Sequence, residues 1–116
     1  MLKQDHIFKS QDNEGVYHLI KQNGLSIDWE ITTLFYTILQ KVDAYFAKTN
    51  FHPADHHDRN KNVRTDPNLR AIYSDYLKFY ELSKQARYTR RSMNTNEKNA
   101  SLKYYSKIDS HISRYM

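Results

Sequence analysis

The chain contains no cysteine. That excludes disulfide staples, thiolate zinc sites, iron–sulfur clusters and thiol nucleophiles. Glycine and proline are nearly as scarce, with two of each in 116 residues. Sheet proteins turn on glycine-rich corners, so this scarcity argues against all-β folds and for long helices with few corners. Long hydrophobic runs are missing too: at a mean hydropathy of −0.90 no stretch approaches a membrane span. The opening Met1-Leu2-Lys3-Gln4-Asp5-His6 has no apolar leader pattern, so the expected setting is reduced and cytoplasmic. Residues 1–116 fit a single domain. A chain of this size buries about two-thirds of the surface its unfolded form exposes, enough for one hydrophobic core without covalent help.

What the chain has in excess is aromatic. Ten tyrosines, five phenylalanines and one tryptophan are not the composition of a disordered chain. That many tyrosines should place some rings at the edge of the core or at an interface, where the hydroxyl keeps a polar neighbour. Charge is uneven along the sequence. Residues 1–83 carry ten Lys/Arg against eleven Asp/Glu, whereas residues 84–116 carry eight, Arg90 among them, against only Glu97 and Asp109. The basic excess therefore lies in the last third. It reads either as the electrostatic footprint of a protein that meets phosphates or as a solvated helical face.

Apolar periodicity predicts an all-α fold with helices near 4–22, 27–48, 54–63, 67–90 and 95–115: four long helices and one short polar one, an up-and-down bundle. In the first, Ile7, Phe8, Val16, Leu19 and Ile20 fall on one side, and Asn23-Gly24 is a C-terminal stop. The other side holds a polar stripe, His6, Ser10, Asn13 and Tyr17, which faces either a site or water. The second helix is apolar over much of its circumference and should be central. Ser26 or Asp28 can cap it, Trp29 sits in its first turn, and Asp43 lies beside its apolar stripe, paired with an arginine from another helix or reaching solvent. Asp66-Pro67 has the pattern of a cap and first helical position for the fourth helix. Asn94-Thr95-Asn96-Glu97 is a capping box for the fifth.

The segment from His52 to Asn60 is the chemical oddity, with His52, His56 and His57, two aspartates and Arg59 within nine residues. Three readings compete. One is a metal site of His and Asp ligands. Another is acid–base chemistry, with a histidine near its ordinary pKa and an arginine to hold a phosphate, which is what metal-independent RNA cleavage needs. The third is structural, with these side chains fixing a corner between helices.

Asp28-Trp29, Leu34-Phe35-Tyr36, Val42-Asp43-Ala44-Tyr45, His52-Pro53, His56-x-x-Arg59-Asn60 and Tyr80-x-Leu82-Ser83-x-x-Ala86-Arg87-Tyr88 follow one another in an order that resembles small prokaryotic HEPN-like domain proteins, over about residues 13–88. The resemblance implies a helical bundle that usually dimerises, and an RNA-directed protein of toxin–antitoxin or phage-defence type, many such proteins being metal-independent endoribonucleases without a cofactor. A cognate antitoxin or nucleotidyltransferase would be the partner protein. The HEPN nuclease pattern is an arginine, a polar residue and, after four to six intervening residues in all, a histidine. Arg59-Asn60 supplies the first half, but positions 64–66 hold Arg64, Thr65 and Asp66. In a variant site, His56 would be the base one turn before Arg59 on the same helix face, Arg59 the phosphate holder and Asn60 a positioning group. His52, His57, Arg64, Arg87 and Tyr88 are the candidate substrate-binding residues. Arg87 can instead pair with Asp43 or Asp58, and Tyr36 is either core filler or a hydroxyl donor to the polar site. The alternative on the same fold is a non-catalytic interaction module, an antitoxin or adaptor with tyrosine-rich binding surfaces.

Overall fold

The structure, a computed structural model, describes residues 1–24, 26–89 and 91–116. Five α-helices follow in order: α1 Lys3–Asn23, α2 Ile27–Ala47, α3 His56–Thr65, α4 Tyr73–Tyr88 and α5 Thr95–Ile112. Short 3₁₀ turns occupy Arg70–Ile72 and Ser113–Tyr115, and no strand occurs among the described residues. The fold is all-α, with four long helices and one short polar one, as the periodicity predicts. Arg90, the expected end of the fourth helix and one of the basic residues of the last third, lies outside the described residues.

The corners form where local chemistry sets them. Gly24 stops α1 in the left-handed region, at φ 61°, and its N–H reaches back to the carbonyls of Ile20 and Lys21. That conformation costs a residue with a Cβ about 1–2 kcal/mol. Ser26 caps α2 by accepting from the Trp29 N–H at 3.4 Å. Asp28 does not cap the helix; it accepts the N–H of buried Met93 at 2.7 Å and ties the α4–α5 loop to the start of α2. Asn94 and Glu97 form the expected reciprocal box at α5. Arg91 forks onto Glu97 at 2.9 and 2.8 Å, and that pair, with the Asn94 amide, holds the Glu97 carboxyl down to about 2.

The fourth helix begins later than Asp66-Pro67 suggests. Asp66 does cap, accepting from the amides of Asn68 and Leu69 at 3.0 and 3.1 Å, but what it caps is a turn that runs into the 3₁₀ segment. Side chains three apart eclipse in a 3₁₀ turn. Leu69 and Ile72 accordingly both enter the core, where they are 0% and 5% exposed.

α2 is central and packs against α1, α4 and α5. Phe35, Ile38 and Val42 are fully buried against Tyr76 and Phe79 of α4 and Ile108 and Ile112 of α5. α1 is turned over relative to its apolar periodicity. Phe8, Val16 and Leu19 face outward, 45–59% exposed, and Ile7 and Ile20 are half-buried, while His6, Ser10 and Tyr17 are buried. The reason lies in what α2 has left to offer. α4 and α5 take much of its apolar stripe; Tyr17 of α1 joins that core, and beside it α1 meets polar groups of α2. Ser10 donates to the Thr37 carbonyl at 2.9 Å, and the His6 ring meets Gln40 Oε1 at 2.8 Å. Small, hydrogen-bonding side chains let the two helices meet there without stranding polar groups.

Candidate functional site

α3 would barely hold as a helix on its own. Its buried residues are Val63 and Arg59 alone. Asp55 starts it by accepting from the Asp58 N–H at 2.8 Å, and Asp58 accepts from the Ala54 N–H at 3.0 Å. Helical spacing then puts His56, Arg59, Asn60 and Val63 on the face toward α2 and α4. Arg59 closes on Asp43 of α2 with two parallel bonds, Nε–Oδ1 at 2.7 Å and Nη2–Oδ2 at 3.0 Å. Both side chains are almost completely buried. Burial works against the charge on Arg59, yet the Asp43 carboxylate outweighs it and raises the guanidinium pKa. Asp43 is thus partnered by an arginine from another helix, and that arginine is Arg59.

The third guanidinium nitrogen, Nη1, lies 3.4 Å from His56 Nδ1. A guanidinium only donates, so Nδ1 accepts, and the proton of neutral His56 sits on Nε2. The imidazole lies 5.0 Å, ring centre to ring centre, from Tyr80 and 6.5 Å from Phe35. Burial in this aromatic setting, then the charges of Arg59 and Arg87, lower its pKa. His56 is therefore neutral at neutral pH.

α4 completes the site. Tyr76, Tyr80, Ser83 and Arg87 recur at i, i+4, i+7 and i+11, one face of the helix. Tyr76 is fully buried, its hydroxyl has no partner among the described residues, and burial pushes its pKa well above the usual phenol value. Arg87 donates to Ser83 Oγ at 3.0 Å, and its guanidinium lies 5.3 Å from the ring centres of both Tyr36 and Tyr88. It pairs with neither Asp43 nor Asp58 in the structure. Tyr36 is half-buried at the core's edge, its ring serving Arg87 as a cation–π face. Besides the Tyr76 hydroxyl, Asn60 Oδ1 and Arg87 Nε are buried in the site without a hydrogen-bond partner among the described residues.

The site therefore brings together His56, Arg59, Asn60 and Arg87 from the candidates read in the sequence. It leaves His52, His57 and Arg64 exposed and apart: His52 lies 3.3 Å from Asn50 Oδ1, and Arg64 sits in the last turn of α3. Tyr88 is 77% exposed beside Arg87. Apolar periodicity reads Tyr76 as core alone, although its spacing to Tyr80, Ser83 and Arg87 carries the signal of a shared polar face.

Chemically, two guanidinium groups and a neutral imidazole converge with one carboxylate. Asp43 neutralises Arg59 and leaves the Arg87 charge over, so the site suits an anion better than a cation. Among the described residues no three His, Asp or Glu side chains cluster to hold a metal ion, and no helix is long and apolar enough to cross a membrane. No protein-family model, curated protein or solved structure matches this chain.

Proposed function

We propose that this chain is a HEPN-like, RNA-directed protein and a metal-independent endoribonuclease, with His56 at the centre of its site. The carrying observation is that His56 sits 3.4 Å from Arg59, which a carboxylate locks, and within reach of the charge of Arg87, which pairs with no carboxylate among the described residues. Arg59 is spoken for by Asp43 and holds the imidazole in its resting tautomer until substrate arrives. Arg87 takes the role of phosphate holder. In the resting tautomer His56 donates to a phosphate oxygen through Nε2 and accepts a proton only at Nδ1, in competition with Arg59. The 3.4 Å contact is long for a hydrogen bond, so a ribose 2′-hydroxyl displaces it at small cost. The 2′-hydroxyl proton passes to Nδ1, the 2′-oxygen bonds to phosphorus, and the bond from phosphorus to the 5′-oxygen breaks. The imidazolium returns its proton to that leaving oxygen. The products are a 2′,3′-cyclic phosphate and a 5′-hydroxyl end.

Binding is tested first, by labelled single-stranded RNA at rising salt. The reading expects affinity to fall steeply with salt, and Arg87→Ala to weaken binding across all sequences. Salt-independent association, or none, contradicts it. The second reading, a non-catalytic antitoxin or adaptor, draws on the outward face of α1, where Phe8, Val16 and Leu19 offer an apolar strip to a protein partner or a second copy.

A further inference from the structure

We infer that Trp29, Arg87 and Tyr88 form a stacking platform for an unpaired RNA base, set beside the His56 site. The inference rests on the RNA-directed reading and adds how the strand is gripped. The chain's only tryptophan is 59% exposed on the first turn of α2, although the core has room for most of the other large rings. Trp29 does not stand on a bare surface. With Asp28, Thr32, Ala86 and Arg87 it lines a cleft of about 330 Å³. Arg87 belongs to both places: it walls this cleft, and its charge is felt at His56.

The cleft sets an acidic residue of α2 against a basic residue of α4. Asp28, the residue before Trp29 on α2, lines the cleft with its carboxylate engaged by the Met93 amide. A phosphate is repelled there, whereas a base edge with N–H donors is accepted. On α4, Arg87 has no carboxylate partner among the described residues, and its Nε is buried with no hydrogen-bond partner among them. A nucleotide therefore seats its base over Trp29 and its phosphate toward Arg87 and His56, with Tyr88, 77% exposed, offering a second face to the neighbouring base. Exposed rings interleaved with arginine are what sequence-tolerant grip on a single strand requires, since every base has a π-face.

The single tryptophan makes the test direct. Unlabelled oligoadenylate is titrated into the protein while the tryptophan emission is followed, and the same oligomer, end-labelled, is followed by anisotropy. The expected result is quenching that saturates together with the anisotropy. Trp29→Ala weakens the anisotropy-read affinity about tenfold, the scale of one lost base stack, and Trp29→Phe recovers most of it. Double-stranded RNA of equal length and adenosine monophosphate both bind more weakly. Anisotropy that saturates without quenching, or Trp29→Ala binding like wild type, overturns the platform while the RNA-directed reading stands. Adenosine monophosphate binding as tightly as the oligomer overturns the strand grip in favour of a mononucleotide pocket. No binding by either oligomer overturns both readings.

Discussion

Asp43→Ala should cost about 3–5 kcal/mol of folding stability, the range for breaking one side of a buried ion pair. Asp43 and Arg59 are 6% and 8% exposed, and the two bonds between them are short and parallel. Each charge-assisted hydrogen bond contributes about 1.5–3 kcal/mol, which brings the pair to the same range from a second direction. Arg59 cannot escape by losing its proton, because a guanidinium stays charged in proteins. The variant therefore carries a stranded cation, and α3, whose one other buried residue is Val63, loosens from α2. A domain of this size is stable by about 5–15 kcal/mol, so the loss is a large fraction of the total. At roughly 4 °C per kcal/mol, the melting temperature should fall by about 12–20 °C. Urea titration followed by circular dichroism measures the change. The double variant Asp43→Ala, Arg59→Met removes the stranded charge and should recover more than half of the loss. A loss below about 1 kcal/mol for Asp43→Ala, or no recovery in the double variant, would refute the reasoning.

Three further outcomes follow from the same geometry. His56 has a lowered pKa in the folded state, so its contribution is fully present above its unfolded value near 6.5 and is lost as pH falls through the lower folded value. Stability should therefore decline below about pH 6.5 by a component that His56→Gln abolishes, as read from melting temperatures across pH. The inverted α1 predicts that Phe8→Ser changes stability by no more than about 0.5 kcal/mol, while Ser10→Leu, at a buried contact, costs about 1–3 kcal/mol; the opposite ranking would mean that the helix sits the other way round. Gly15 lies inside α1 with nothing within 4 Å of an added Cβ, so Gly15→Ala should raise stability by about 0.5–1 kcal/mol in the same urea titration.

Much of this architecture is legible in the residues, and the exceptions have physical causes. Ser26, Gly24, Asn94 and Glu97 mark helix ends because caps act within one turn, and local sequence contains the whole interaction. The burial of α2 follows from an apolar circumference that only a central position satisfies. α1 departs from its periodicity because its orientation depends on the side of α2 left unoccupied. Phe8, Val16 and Leu19 satisfy the helical period, but Ser10 and His6 match the polar side where Thr37 and Gln40 lie. The arginine that meets Asp43 is not identifiable from spacing, since Arg59 and Arg87 both reach the same region and only the packing of α3 decides between them. His56 and Arg59 share one face by i, i+3 geometry once α3 forms. The exposure of Trp29 leaves no trace in the sequence, because a tryptophan in a first turn is as readily buried as displayed.

The most direct test of the central claim is cleavage of single-stranded RNA by the purified protein with a metal chelator present throughout. The account predicts cutting that survives chelation and leaves 2′,3′-cyclic phosphate ends. It predicts a fall of about 10²-fold or more on His56→Ala, the scale for a lost acid–base group, a similar fall on Arg87→Ala, and no change on His18→Ala, whose ring is exposed on α1. Cleavage that stops on chelation, or that persists undiminished in His56→Ala, would contradict it.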